Sequence, residues 1–345
     1  MAAASPTAPS TTAAHPRLTD SHGRIIHDLR VSITDRCNYK CVYCRTGDDG
    51  ARYPELGIDE YLRLIGLFVG LGITKVRLTG GEPLLRRGLV ELVQELARLR
   101  TLTGEPLELA LTTNGHLLDS LAAPLKAAGL NRVTVSMDAV DAATFERITR
   151  VPGSFQTVLR GVRAAREAGL TPLKINCVLL RGFNDSQIEG FARFTREEGV
   201  VVRFIEFMPL EEGRLWSPEI VVPPAEIVSR IGRVKPLFEL PPREPSETAR
   251  RYTFADGIGE IGIIAPVSQA FCGACSRVRL TSDGKIRTCL FSQVEHDLYG
   301  RLRAGADDAE LREYIVRTVQ GKEARHHIGE PGFLKPSRSM VHIGG

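Results

Sequence analysis

The sequence has no apolar run long enough to cross a bilayer, and residues 1–20 lack the apolar core of a secretory leader. A cytoplasmic chain is the expectation. An excess of charge of one sign is lacking as well, with 45 Lys and Arg against 41 Asp and Glu. A net charge of +4 over 345 residues is too little for a general nucleic-acid binder, yet it leaves room for a local basic pocket facing an anionic substrate. No repeat appears beyond strand–helix alternation, and no low-complexity stretch follows residue 16. With 43% hydrophobic and 25% charged residues, the chain can fill the core of one large domain or two modest ones. Residues 1–18, which are Ala, Ser, Thr and Pro for most of their length, are expected as a disordered tail.

Cysteine is sparse and odd in number: seven, at positions 37, 41, 44, 177, 272, 275 and 289. They fall into two sets of three with Cys177 left over. In a cytosolic chain such tight spacing reads as metal binding and not as disulfides. Cys177 lies in a strand-like run, Lys174 to Leu179, and reads as a small buried hydrophobe.

Strand-like runs recur at 28–34, 74–79, 107–113, 131–137, 172–179 and 200–206, separated by helical patterns. That rhythm means βαβ units around a parallel sheet. A closed barrel of this kind has eight strands, so six predict an incomplete α/β barrel over residues 19–209. After Met208-Pro209 the rhythm stops. Residues 210–345 are expected as a C-terminal domain: a proline-rich connector with a short helix near 225–231, short strands over 250–290, and a helix near 307–319.

The first triplet, Cys37-x3-Cys41-x2-Cys44, follows the first strand, where chemistry is placed in an α/β protein. Three thiolates leave one position open, as in a working metal centre or a four-iron cluster with one free iron. A zinc knuckle completed by His27 is the alternative. The second strand runs into Gly80-Gly81-Glu82-Pro83, where paired glycines let a ligand approach the backbone, although a plain βα turn uses them too. Thr112-Thr113-Asn114 and Ser136-Met137-Asp138 end the third and fourth strands. They are helix caps singly and a binding rim together. The second triplet is Cys272-x2-Cys275 with Cys289, followed at once by Arg277 and Arg279, which share one face of a strand. A zinc ribbon with His296 needs no such arginines, whereas a phosphate ligand does. Arg30, Arg77, Lys174 and Arg203 recur at matching strand positions. Each is a surface charge if taken alone, and together they suit a triphosphate.

The first triplet with its aromatic Tyr43 and the Gly-Gly-Glu-Pro segment resembles the radical S-adenosylmethionine (SAM) superfamily. Asp28-Leu29-Arg30, Thr34-Asp35-Arg36-Cys37, Arg203 to Met208, the second triplet with its arginines, and the terminal Gly344-Gly345 resemble its MoaA family, the GTP 3′,8-cyclases of molybdenum cofactor biosynthesis. The resemblance implies an incomplete (β/α)6 TIM-like barrel with a C-terminal cluster-binding domain closing it. It implies a SAM-binding [4Fe–4S] cluster on Cys37, Cys41 and Cys44 and a second on Cys272, Cys275 and Cys289. SAM contacts would come from Tyr43, Gly81, Glu82, Ser136 and Met208, and GTP contacts from Arg30, Arg77, Thr112, Lys174, Arg203, Arg277 and Arg279. It further implies a reductant such as flavodoxin or ferredoxin and a downstream cyclic pyranopterin monophosphate synthase, with the chemistry carried by SAM and the clusters and not by a catalytic side chain. A monomer or a homodimer is expected, without nucleic acid or membrane.

Two details depart from or extend the pattern. Arg45-Thr46-Gly47 stands where many relatives have Met-Pro. The Gly-Gly end reaches the active site in the enzymes it resembles, while the sequence alone favours a frayed terminus. The rival readings are a radical SAM peptide-modifying enzyme with an auxiliary cluster, and a zinc-bound scaffold without catalysis.

Overall fold

The computed structural model describes residues 17–44, 51–211, 213 and 215–344. The expected tail up to residue 16 and the departure at Arg45-Thr46-Gly47 lie outside them. Leu18, assigned to the tail from sequence, is in fact core: it is 3% exposed and its N–H donates to Leu71 O at 3.0 Å.

Six βα units come first. Strands β1 (Asp28–Ser32), β2 (Lys75–Thr79), β3 (Glu108–Thr113), β4 (Arg132–Ser136), β5 (Lys174–Leu179) and β6 (Val201–Glu206) are the six runs read from sequence. Between them lie α1 (Ile58–Val69), α2 (Leu89–Arg98), α3 (Leu118–Ala127), α4 (Ala142–Thr149), α5 (Ser154–Glu167) and α6 (Ile188–Glu198). Each helix turns an apolar stripe to the sheet, such as Tyr61, Leu64, Ile65 and Phe68 on α1, or Phe155, Val158, Val162 and Ala165 on α5.

The chain then forms α7 (Pro224–Val234), β7 (Leu237–Leu240), β8 (Arg250–Phe254), β9 (Glu260–Ile264), β10 (Arg277–Leu280), β11 (Lys285–Arg287), β12 (His296–Asp297), α8 (Leu298–Arg303), α9 (Asp308–Gln320) and α10 (Met340–Ile343). Among the described residues, all 12 strands belong to one sheet, in the order β12-β11-β10-β1-β2-β3-β4-β5-β6-β9-β8-β7. Its two ends do not pair, so the barrel is open. The sheet runs straight across the expected 209/210 boundary. β10 pairs parallel with β1 and β9 pairs parallel with β6, which extends the parallel core at both edges. Sequence could not show this, because the pairing joins segments far apart in the chain.

Alternation along the strands decides what lies inside. Val76, Leu78, Leu109, Leu111, Val133, Val135, Ile175, Val202 and Phe204 are buried in the apolar core under the helices. The residues between them, Arg77, Thr112, Thr134, Lys174, Asn176 and Arg203, face the barrel interior. The register aligns Arg279 with Arg30 and Arg30 with Arg77 across three adjacent strands. One residue-pair lower, Arg277, Asp28, Lys75 and Glu108 form a row of alternating sign.

The last segment is fastened by Arg338, whose guanidinium donates two 2.8 Å bonds to Asp283, lies 2.7 Å from Glu295 and sits 3.8 Å over the Tyr53 ring. Arg338 and Asp283 are buried, so removing one partner strands the other, at a cost of about 3–5 kcal/mol. Arg338→Met should therefore lower the unfolding free energy by that amount, read as a lower denaturant midpoint at an unchanged m-value; an unchanged midpoint would show the pair to be solvated. Burial pushes the Asp283 carboxyl up, but Arg338 and Thr281 hold it below its ordinary value. Its contribution is full above a pH of about 4 and is lost as pH falls through the lower folded-state value, and the pH dependence of stability in the variant should flatten there.

Candidate active site

The loop leaving β1 carries the first triplet, and the backbone fixes it from three sides. Gly81 N–H donates to Thr34 O at 2.8 Å and Glu82 N–H to Arg36 O at 2.7 Å. A Cβ on Gly80 would lie 2.2 Å from Thr34 O, and one on Gly81 would lie 2.3 Å from Arg36 O. The paired glycines are thus required by the chain's own cysteine loop, which lies directly on them. On the far side, Lys40 and Val42 N–H groups bond the Thr149 and Ile148 carbonyls at the end of α4. Tyr43 Oη donates to Asp138 Oδ2 at 2.6 Å, and Asp138 Oδ1 accepts from Val178 N–H at 2.8 Å, tying the loop to β4 and β5.

Cys37, Cys41 and Cys44 line one cavity of about 300 Å³ together with Cys272, Cys275 and Cys289. Tyr39 N–H points at Cys37 Sγ at 3.4 Å, and Arg277 Nη2 at Cys275 Sγ at 3.4 Å. Hydrogen bonds aimed at sulfur suit iron–sulfur ligation. Against the desolvation of burial, the charges of Arg277 and Lys322 bring the Cys275 thiol down to about 7, toward the thiolate that a metal requires. Among the described residues no three His, Cys, Asp or Glu side chains converge on the point a single ion would occupy. His27 lies at the opposite end of β1, lining a second cavity, and does not complete the first triplet. His296 pairs on β12 and lies outside the cavity lining.

Tyr43, Gly81, Ser136, Met208, Arg30, Arg77, Thr112, Arg203, Arg277 and Arg279 all line the cavity. Two expected residues do not. Glu82 is fully buried and its carboxylate accepts from Leu84 N–H, Thr113 Oγ1 and Asn114 N–H at 2.9, 2.7 and 2.6 Å. Burial raises it to about 7 against those three bonds. It braces the strand ends from beneath instead of facing a ligand. Lys174 lies at the start of β5, in a lower cavity of about 540 Å³. That cavity also has Arg30, Arg77, Arg203 and Arg277 in its wall, so these arginines separate an upper chamber from a lower one.

The arginines are held apart by neutral partners. Arg77 Nη1 donates to Thr112 and Thr134 Oγ1 at 3.1 and 3.3 Å, and Arg203 Nε donates to Asn176 Oδ1 at 2.9 Å. Arg30 Nε is buried without a partner. Burial, and then their mutual repulsion, presses Arg77 to about 10 and Arg203 to about 9, and both stay charged at neutral pH.

Up to Gly344 the C-terminal segment is seated and not frayed. Met340 and Val341 line the cavity and Gly344 O accepts from Arg279 Nη1. A Cβ on Gly344 would lie 2.4 Å from Ser32 Oγ. Sequence reasoning also missed Arg24, Lys322 and His326. Lys322 and His326 line the cavity beside the second triplet. A lone Lys or His after a helix gives no signal, and the Arg24 contacts span about 250 residues or more.

The sequence pattern of the Radical SAM superfamily matches residues 31–195, and that of Molybdenum Cofactor Synthesis C matches residues 200–328. The chain is 45% identical over 329 residues to the GTP 3′,8-cyclase of Moorella thermoacetica, covering 94% of this chain and 99% of that one. It is 44% identical over 318 residues to the GTP 3′,8-cyclase of Acidothermus cellulolyticus, covering 89% and 87%. The crystal structure of Streptococcus suis SuiB bound to S-adenosylmethionine superposes with a TM-score of 0.59 at 13% identity, over 87% of this chain and 69% of that one, which is a likeness of fold alone. With the fold, the thiol triplets and relatives aligned over nearly their whole length in agreement, the chain belongs to the GTP 3′,8-cyclase family of the radical SAM superfamily.

Proposed function

We propose that the chain converts GTP into 3′,8-cyclo-7,8-dihydro-GTP, the first step of molybdenum cofactor biosynthesis, with both thiol triplets carrying clusters and the arginine ring holding the nucleotide. The observation that carries this reading is the row of buried guanidinium groups between the thiol-lined upper chamber and the lower cavity. A peptide-modifying enzyme has no use for that row, and a structural zinc site has no use for either chamber.

When bound, SAM and the [4Fe–4S] cluster on Cys37, Cys41 and Cys44 supply a 5′-deoxyadenosyl radical that removes the C3′ hydrogen of GTP, after which C3′ bonds to C8 and one electron and one proton complete the product. The chain's own residues position and shield. Tyr43, Gly81, Ser136 and Met208 face SAM, and Glu82 acts by stiffening the strand ends that carry Gly81 and Asn114. Cys272, Cys275 and Cys289 would hold a second cluster, whose open iron would offer a ligand position to the guanine edge. Arg30, Arg77, Arg203, Arg277 and Arg279, with Thr112, hold the ribose and phosphates, and Lys174 extends this cradle into the lower cavity. Anchoring the nucleotide at both ends fixes C3′ relative to the radical source. Met340 and Val341 cover the chamber and exclude water. A flavodoxin or ferredoxin supplies electrons, and a cyclic pyranopterin monophosphate synthase consumes the product.

Cys275→Ala should still cleave SAM to 5′-deoxyadenosine, uncoupled from any cyclised nucleotide; normal product formation by that variant would remove the second triplet from substrate binding. Arg77→Ala should weaken GTP binding by about tenfold to a hundredfold, the worth of one charge-assisted hydrogen bond, and equal affinity would place the phosphates elsewhere. Burial first, then Arg203, Arg132, Arg243 and Arg77, press the Lys174 ammonium down to about 7. Above that pH, GTP must bring a proton with it, so affinity falls as pH rises. Lys174→Arg keeps its charge and should flatten that fall, as read by calorimetric titration; an identical slope in both proteins would exclude Lys174.

A further inference from the structure

Lys322 is 3% exposed, at the turn that follows α9. Its ammonium donates to Thr288 O, the carbonyl just before Cys289, and it lines the chamber with Cys272, Cys275 and Cys289. Among the described residues it makes no ion pair. The neighbouring Glu323 carboxylate feels the Lys322 charge but makes no ion pair with it, and its oxygens accept from Thr288 Oγ1 at 2.7 Å and from Ser292 Oγ. An ammonium in such a place costs several kcal/mol unless an anion lies beside it.

The position is not loose. Arg24, 8% exposed and paired with Asp20 at 2.5 Å, donates to Glu323 O at 2.6 Å, to Ala324 O at 2.8 Å and to Cys272 O at 2.9 Å. One guanidinium therefore clamps the backbone after Lys322 to the backbone of the second triplet. The ammonium itself is held by the Thr288 carbonyl, and its companion Arg277 already points at Cys275 Sγ.

We infer that Lys322 is the counter-charge of the iron–sulfur cluster held by Cys272, Cys275 and Cys289 and sets that cluster's reduction potential. The inference rests on the second-cluster reading given above. A four-iron cluster on three thiolates is anionic, and more so once reduced, so a fixed neighbouring cation favours the reduced form and raises the potential. Lys322 is a positioning residue in this account: it touches the cluster's environment and not the reacting carbon atoms. Its carbonyl partner Thr288 also fixes the strand of chain that delivers Cys289.

The test is an EPR-monitored redox titration of anaerobically reconstituted holoenzyme, wild type against Lys322→Met and Lys322→Arg. The first cluster is recognised as the signal that changes when SAM is added. Lys322→Met should lose at least tenfold in the equilibrium constant for one-electron reduction of the SAM-insensitive cluster, a downward shift of about 59 mV or more, with the SAM-sensitive cluster unmoved and Lys322→Arg close to wild type. If Lys322→Met instead holds half the wild-type iron while Lys322→Arg holds all of it, the same counter-charge role is supported through assembly. An unchanged potential in Lys322→Met, or iron loss in both variants alike, would overturn it. A wild-type protein without any SAM-insensitive cluster would sink the two-cluster reading itself, an outcome separate from the others.

Discussion

Everything in this fold depends on placing fixed positive charge inside a barrel. A barrel interior is ordinarily filled by branched apolar side chains, and burying guanidinium groups there is unfavourable unless an anion joins them. Here Arg279, Arg30 and Arg77 stand level on adjacent strands, with Arg203 across the cavity, and neutral hydroxyl and amide oxygens hold Arg77 and Arg203. Asp28 offers a carboxylate near the row, 3.7 Å from Lys75 and with its other oxygen unpartnered, and Glu108 lies beside Lys75 on the next strand. Such an interior is preorganised for a polyanion, and the energetic cost of assembling it is carried by the apolar layer between sheet and helices.

The same alternation that turns arginine inward turns Val, Leu, Ile and Phe outward against the helices, so one periodicity builds both core and site. The open edges then determine how the rest of the chain can be used. β10 brings Arg277 and Arg279 to one edge, directly after Cys272 and Cys275, and β9 lengthens the other. The second triplet therefore arrives over the chamber as a consequence of strand pairing. The tail completes the enclosure, with Arg338 fastening it from outside and the Gly344 carbonyl meeting Arg279 within. Both thiol triplets line the chamber, and Arg30, Arg77, Arg203 and Arg277 stand between it and the lower cavity.

Local pattern made the six βα units readable, because each strand and helix stripe is written in consecutive residues. The triplets and the Arg277–Arg279 pair were readable for the same reason. Glu82 lies outside the cavity lining: its motif is visible in sequence, but the direction of its carboxylate depends on Thr113 and Asn114, about 30 residues away. Gly80 and Gly81 were legible as a close approach, while the approaching group proved to be the backbone at Thr34 and Arg36. Leu18, Arg24, Lys322 and the seated tail stayed hidden because their meaning lies entirely in contacts between distant segments. The placement of β9 and β10 at opposite edges belongs with them.

The central claim is that the chain places ribose C3′ of GTP next to the 5′ carbon of SAM. Anaerobic turnover of GTP deuterated at C3′, with SAM and a low-potential reductant, reads that placement directly. Mass spectrometry should find one deuterium in each 5′-deoxyadenosine formed and none in the cyclised nucleotide. Deoxyadenosine free of deuterium alongside a product that keeps it would contradict the account.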